Sequence, residues 1–222
     1  MPLDMKGDWN RRARQNPRFY IATTAEDSET AFEDSGKRDV TLFFQGLEHL
    51  LTPDATVLDI GCGIGRMDRH VAPRVKKLIG IDVSGDMIAG ARQRLGDLSN
   101  VEFLEGDGWT LKAIPDAVID LVFSHIVLQH VPRKVATSYF LEAWRVLRLG
   151  GRFVFQMPEA AANTPADPPT HDTFEMRFYR EQDLQQELEG SGFRYLGCRR
   201  GRVHSDRLDF NQLRLHAQKP PD

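Results

Sequence analysis

Three glycines at alternate positions, directly behind an apolar run, limit this chain more than any other feature. Thr56-Val57-Leu58-Asp59-Ile60 leads into Gly61-Cys62-Gly63-Ile64-Gly65, and Arg66 onward has a helical look. Glycines between a strand and a helix let the backbone approach a ligand and present N–H groups at the helix N-terminus. That geometry serves dinucleotides, nucleoside phosphates and nucleosides with a carboxylate tail, and spacing separates them. A dinucleotide fingerprint needs a glycine at the sixth position of G-x-G-x-x-G. Counting from Gly61 that position is Arg66, and from Gly63 it is Asp68, so both registers fail. No Lys-Ser or Lys-Thr closes the loop as a P-loop would. An acid stands two residues before the first glycine. Asp59 is unwelcome beside a pyrophosphate and suited to pairing, directly or through water, with a ligand's ammonium group.

Around this loop, short apolar β-branched runs alternate with amphipathic stretches, the pattern of a βαβ sheet. Expected strands are Thr56 to Ile60, Lys77 to Asp82, Val101 to Glu105, Ile119 to Ser124, Arg152 to Met157 and Phe193 to Arg199, with a seventh, antiparallel strand over Leu208 to Gln218. Expected helices are Arg66 to Ala72, one capped by Ser84 with Met87, Ala91 and Leu95 on a single face, Lys134 to Arg148, and Gln182 to Leu188. Gly150-Gly151 is expected to end the third of these. Glu159 to Pro169, with four alanines and three prolines, reads as an insertion or lid loop. The first residues differ. A helix near Asp8 to Gln15 and another from about Glu29 to Leu51, with a Val40, Phe43, Phe44, Leu47, Leu51 stripe, make residues 1–54 an N-terminal helical cap on the same domain as a core over 55–222.

With 222 residues, 41% hydrophobic and 27% charged, the chain is sized for one large domain with a continuous core. The net charge of −3 provides no global field for nucleic acid or anionic lipid. The clusters Arg11, Arg12, Arg14 and Arg199, Arg200, Arg202 read as solvated surface charge. Two cysteines, Cys62 and Cys198, give neither a disulfide framework nor metal-ligand spacing, and no metal is expected. Without a signal-like N-terminus or a long apolar run, the chain is expected to be cytoplasmic and off the membrane.

Two more acids end strands in order. Asp82, seventeen residues after Gly65, is placed to accept from both ribose hydroxyls, and Asp107 from an exocyclic amine on adenine. Asp59, Asp82 and Asp107 thus match an amino acid end, a ribose and an adenine.

At these residues the sequence resembles the Rossmann-like (class I) S-adenosylmethionine-dependent methyltransferases of small-molecule type. Val57 to Gly65 is similar to their first motif, Gly80 to Met87 to the ribose motif, and Phe103 to Asp107 to the adenine-side motif. Asp120 to Val131 is similar to the fourth-strand motif, and Leu147 to Phe153 to the approach to strand five. The resemblance runs from about Ala55 to Met157. It implies an α/β fold with a seven-stranded, mostly parallel sheet and helices on both faces. It also implies S-adenosylmethionine as cofactor, with Gly61, Cys62, Gly63 and Gly65 at the methionine part, Asp82 and Val83 at the ribose, and Asp107 and Gly108 at the adenine. Met87 would pack on the adenine or in the core, and Ser124 would close the pocket floor by its backbone. In similar enzymes the N-terminal helices close over the cofactor, so Tyr20 or Phe19 either faces the sulfonium or is an aromatic hinge.

The sulfonium methyl is already activated, so the protein must align the reacting atoms and exclude water, with a base needed only where the acceptor loses a proton. His125 and His130 after the fourth strand are the candidate bases, with His171 behind them. His130 precedes Val131-Pro132, and satisfying a helix end is the favoured reading for it over catalysis. The Asn-Pro-Pro-Tyr type of motif is missing after strand four, where Ser124-His125-Ile126-Val127 stands, and Cys62 reads as a small packing residue. By elimination the acceptor is a small molecule, with nitrogen or oxygen receiving the methyl. A non-catalytic S-adenosylmethionine-binding subunit, or a different reaction with the same cofactor, stays open. The segment Thr173 to Tyr179 is either an apolar wall for the acceptor or a sheet edge.

Overall fold

The computed structural model describes residues 4–22, 28–161, 172–204 and 209–221. Residues 162–171, which hold most of the expected lid and His171, lie outside the described residues. Seven strands form one sheet in the order β3-β2-β1-β4-β5-β7-β6. They are β1 Thr56–Ile60, β2 Lys77–Asp82, β3 Val101–Glu105, β4 Ile119–Ser124, β5 Leu147–Pro158, β6 Arg194–His204 and β7 Asp209–Gln218. Pairing is parallel for β1 with β2, β2 with β3 and β4 with β5, and antiparallel where β7 meets β5 and β6. This is the α/β, mostly parallel arrangement expected from the alternating pattern. The chain groups into two compact units, one over Asp4–Gly108 and one from Trp109 onward.

In the first unit, α1 (Met5–Gln15), α2 (Pro17–Ile21) and α3 (Glu29–Phe43) join β1 to β3, with α4 (Asp68–Val71) and α5 (Gly85–Arg94) between the strands. Helix α2 was not foreseen, although its signal is present. Asn16 caps it by accepting from Phe19 N–H at 3.1 Å, and Pro17 supplies the preset φ of a first helical turn. The second expected helix stops at Phe43 rather than Leu51, because the chain turns through Gly46 at φ 79° and restarts as a short 3-10 turn over Glu48–Leu50. Its apolar stripe is buried as expected: Val40, Phe43, Phe44, Leu47 and Leu51 are all in the core. The predicted Arg66 to Ala72 helix shrinks to one turn, followed by a 3-10 turn over Ala72–Arg74 that contains Pro73. Ser84 caps α5, its Oγ accepting from Met87 N–H at 3.1 Å, as foreseen.

Gly36 shows how closely α3 lies on the glycine loop. A Cβ there would stand 2.5 Å from the Arg66 carbonyl oxygen, a backbone atom that cannot swing aside. Gly36→Ala is therefore expected to cost about 1–3 kcal/mol, the usual range for overpacking, read as a lowered urea midpoint with unchanged m-value.

In the second unit α6 (Arg133–Val146) and α7 (Glu181–Gly190) pack on β5 and β6. Gly150-Gly151 does not end α6. The helix closes at Val146, β5 begins at Leu147, and Gly150 at φ 79° lies inside the strand. The early part of β5 bends there while Gly150 N–H reaches the Lys219 carbonyl at 2.9 Å. Among the described residues no helix is long and apolar enough to cross a membrane.

Candidate cofactor site

The glycine loop follows β1, and Asp82 reaches it from the end of β2. Gly61, Gly63 and Gly65 have φ of 82°, 55° and 78°, a left-handed backbone that only glycine adopts cheaply. Four of the loop's N–H groups are spent inside the protein. Gly61 and Cys62 both donate to the Ile81 carbonyl, at 2.7 and 3.2 Å, and Gly65 to the Cys62 carbonyl at 3.0 Å. Gly63 donates to Asp82 Oδ2 at 3.0 Å. A phosphate cradle needs such donors free and convergent. Here they are tied down and carboxyl groups stand behind them, which fits a ligand end bearing an ammonium.

Asp82 is more occupied than a simple ribose acceptor would be. Its Oδ1 accepts from Ser84 N–H at 2.8 Å, so its two oxygens brace both sides of the crossing from β1 to β2. Burial pushes its pKa up to about 6 against the pull of those backbone donors. Asp107 lies beyond β3 and is exposed. Gly108, at φ 80°, is buried where a Cβ would stand 3.0 Å from Val83 Cγ2 and 3.1 Å from Met5 Cε. Val83, Gly108 and α1 are thereby brought together.

Cys62 packs with Ile88, Ala91, Leu95 and Phe103 as a small core residue, and burial pushes its thiol pKa up. Met87, 1% exposed, packs with Phe32 and Ile64, against Trp9, Ala13, Ile21 and Ala22 of the N-terminal helices. A Cβ on Gly63 would stand 2.7 Å from Ile21 Cδ1, so α2 lies directly over the loop. Asn10 fixes α1 by accepting from Ser84 Oγ at 2.7 Å, with Arg14 paired to Asp86 at 2.8 Å.

One surface reading is corrected here. Arg12 is 4% exposed, not solvated, with its guanidinium 5.0 Å from the Trp9 ring centroid and 5.7 Å from that of Tyr20. Helical spacing puts Trp9 and Arg12 on the same inward face, where the aromatic faces attract the cation. Tyr20 also packs edge-on against Phe19 and donates to Gln15 Oε1 at 3.1 Å. The cation over its ring in this structure is thus the protein's own.

Two buried groups and the half-buried Asn10 were not apparent in the sequence. Arg66, 4% exposed, donates to Asp39 at 2.6 Å and to Ser35 Oγ at 3.1 Å, tying the loop to α3. Asp68 is fully buried beside Asp59, and Asn10 carries the dock of α1. The spacing of an acid nine residues after Asp59 was the available signal for Asp68, but spacing alone says nothing of its burial.

In the second unit, Ser124 ends β4 and is 1% exposed. His125 is half-buried on the turn that follows. Ile126 there has φ 59°, a strained backbone for a β-branched residue, of the kind that collects at functional turns. His130 is 6% exposed, its ring stacked on Phe174 at 5.6 Å and its Nε2 3.2 Å from the Gln129 side-chain amide. The Thr173 to Tyr179 segment covers this turn: Arg177 N–H donates to the Gln129 carbonyl at 2.8 Å and its guanidinium to the His130 carbonyl at 3.1 Å. Tyr179 bridges to Glu159 in parallel at the end of β5, the sheet-edge alternative for this segment.

Residues 58–155 match a family model described as a methyltransferase domain. That match takes in the glycine loop and β2 to β4, under half of the chain. Over 148 residues it is 33% identical to phosphoethanolamine N-methyltransferase 1 of Arabidopsis thaliana, covering 64% of this chain and 29% of that protein. It is 34% identical over 121 residues to a trans-aconitate 2-methyltransferase of Azoarcus sp. strain BH72, covering 53% of this chain and 42% of that one. The chain thus spans less than half the length of these curated relatives. The solved structure of the 4+2 cyclase SpnF aligns over 100% of this chain and 97% of its own, with a TM-score of 0.75 at 18% identity, a likeness of fold. Members of the methyltransferase family use S-adenosylmethionine, whose ammonium, ribose and adenine suit the carboxyl-backed loop described above.

Proposed function

We propose that this chain transfers a methyl group from S-adenosylmethionine to a nitrogen or oxygen of a small molecule. The observation that carries the reading is the glycine loop inside the matched domain, with four of its N–H groups spent on the protein and carboxyl groups behind it. Gly61 to Gly65 and Asp59 would hold the methionine end, Asp82 and Val83 the ribose, Asp107 and Gly108 the adenine. S-adenosylmethionine supplies a methyl already activated by its sulfonium. The chain's own task is then to orient the acceptor, exclude water and take a proton where the acceptor carries one. Helix α2, resting over Gly63, and Met87 beneath it supply an apolar, water-excluding cover.

His125, half-buried beside the strained Ile126, is the better candidate for that proton, because the His130 ring is held between Phe174 and Gln129. The relatives' names cover both a nitrogen and a carboxylate-bearing acceptor, which supports a small molecule without choosing one. A second reading is favoured by the whole-length likeness to a structure named as a cyclase: the same fold could hold the cofactor for another reaction. Cytoplasmic residence and the absence of a nucleic-acid partner belong to this proposal as well.

Calorimetry with S-adenosylmethionine, S-adenosylhomocysteine and NAD is expected to show binding of the first two only. Incubation with methyl-labelled cofactor and a small-molecule extract is then expected to label a small product, lost in His125→Ala. Cofactor binding without any labelled product would turn the assignment toward the second reading, and NAD binding alone would overturn it.

A further inference from the structure

Asp68, the first residue of α4, is fully buried, and neither of its carboxyl oxygens has a hydrogen-bond donor among the described residues. Its neighbour is the Asp59 carboxyl, itself 5% exposed at the end of β1. Two carboxyl groups can be hydrogen-bonded to each other only if one carries a proton. Among the described residues, the groups that face the pair do not remove that requirement. The groups that face it are Asp82 from β2, another acid, and from the loop the Cys62 thiol, kept neutral by burial, and Arg66, whose guanidinium is held by Asp39 and Ser35 of α3. Among the described residues no set of three His, Cys, Asp or Glu is arranged to hold a metal ion.

Burial raises the Asp68 pKa to about 7 and Asp59 well above its ordinary value, with the Asp68 charge adding to the latter. Near neutrality the pair therefore passes from two protons to one. In the one-proton state it carries a single negative charge at the base of the glycine loop, where the proposed cofactor would place an ammonium.

We propose that Asp59 and Asp68 form one ammonium-binding unit, in which Asp59 meets the cofactor's amino group and Asp68 holds the single proton that remains. This rests on the reading that the loop binds S-adenosylmethionine. Below neutrality the exchange balances as follows: the doubly protonated pair and the ligand's ammonium combine, one proton leaves to solvent, and the Asp59 carboxylate then accepts from both the ammonium and the Asp68 hydroxyl. Asp68 is a positioning residue, since it acts through Asp59 and not on the ligand.

The test is calorimetry of the full chain in buffers of different ionisation enthalpy, at pH 6 and pH 8. The probes are S-adenosylhomocysteine and 5′-methylthioadenosine, which lacks the amino acid end. S-adenosylhomocysteine is expected to release close to one proton at pH 6 and little at pH 8, with affinity falling up to about tenfold per pH unit below neutrality. Titration of Asp82 affects both ligands alike, so the proton release specific to the amino acid end appears as the difference between them. Asp68→Asn is expected to bind S-adenosylhomocysteine with a weaker pH dependence than the parent, because the amide donates to Asp59 without ionising and removes one of the causes that raise Asp59. Equal proton release for the two ligands overturns the proposal without help from any variant, and so does an unchanged pH slope in Asp68→Asn. Binding of 5′-methylthioadenosine but not of S-adenosylhomocysteine overturns it too. If neither adenosyl ligand binds, the cofactor reading itself falls and takes this proposal with it.

Discussion

Arg66→Met is expected to destabilise the protein by about 3–5 kcal/mol, the range for breaking a buried ion pair from one side. The methionine keeps the volume of the aliphatic stem, so the loss reports charge and hydrogen bonding rather than a cavity. The guanidinium is 4% exposed and donates to Asp39 at 2.6 Å and to Ser35 Oγ at 3.1 Å, both on α3. Removing it leaves Asp39 without that partner. It also takes away the cation that partly offsets the Asp59 carboxyl, at a place where Asp59, Asp68 and Asp82 already crowd together. Arg66→Lys is expected to rescue only part of the loss, because its ammonium sits one bond short of Nη1, the nitrogen that donates to both acceptors. Urea unfolding of the three proteins measures the effect. A Met variant within about 0.5 kcal/mol of the parent, the range of ordinary surface substitutions, would show the pair to be dispensable.

That Arg66 matters was hidden in the sequence, whereas the strands were not. Thr56–Ile60, Lys77–Asp82 and Ile119–Ser124 stand where the apolar runs put them, since a buried parallel strand writes itself as an apolar segment, and the edge strand Val101–Glu105 stands where its alternation puts it. The Ser84 cap was readable for a similar reason: one side chain and one backbone donor three residues on make the whole interaction. Helix ends were misread where a glycine acted against its usual meaning. Gly150 bends a strand instead of stopping a helix, and Gly46 stops a helix that the apolar stripe seemed to continue. The stripe itself was right, because Phe44, Leu47 and Leu51 are buried whether or not the backbone between them is helical.

For the site, the left-handed glycines and the place of Asp82 at the end of β2 were legible because both follow from local backbone geometry. Arg12, Arg66 and Asp68 were not. A charged residue reads as solvated until the tertiary structure supplies what buries it: the Trp9 and Tyr20 rings for Arg12, α3 for Arg66, and the Asp59 carboxyl for Asp68.

The same acids are expected to invert the usual pH dependence of stability. Asp82 and Asp68 have folded-state pKa values of about 6 and about 7 against an ordinary 3.8, and Asp59 is raised as well, all chiefly by burial. Below 3.8 these groups are protonated in both states and take nothing from the fold. As pH rises from there, the unfolded chain gives up protons that the native state retains, so the native state binds more and stability falls. Each group contributes a loss of about 1.4 kcal/mol per pH unit within its window, ending near pH 6 for Asp82 and near pH 7 for Asp68. Asp97, held low by Arg69, pulls the other way, but it is exposed and its pairing is screened by solvent. Urea unfolding of the ligand-free protein is therefore expected to show decreasing stability from pH 5 to pH 7. Asp68→Asn is expected to flatten part of that slope and to be more stable than the parent at pH 8. A parent whose stability climbs steadily from pH 5 to pH 8 would mean that these carboxyls ionise at ordinary values. A fold that leaves negative charge uncompensated beneath its glycine loop has a use for it only when a cation arrives. S-adenosylhomocysteine should accordingly raise the unfolding midpoint more at pH 8 than at pH 6, since its ammonium neutralises what the protein does not.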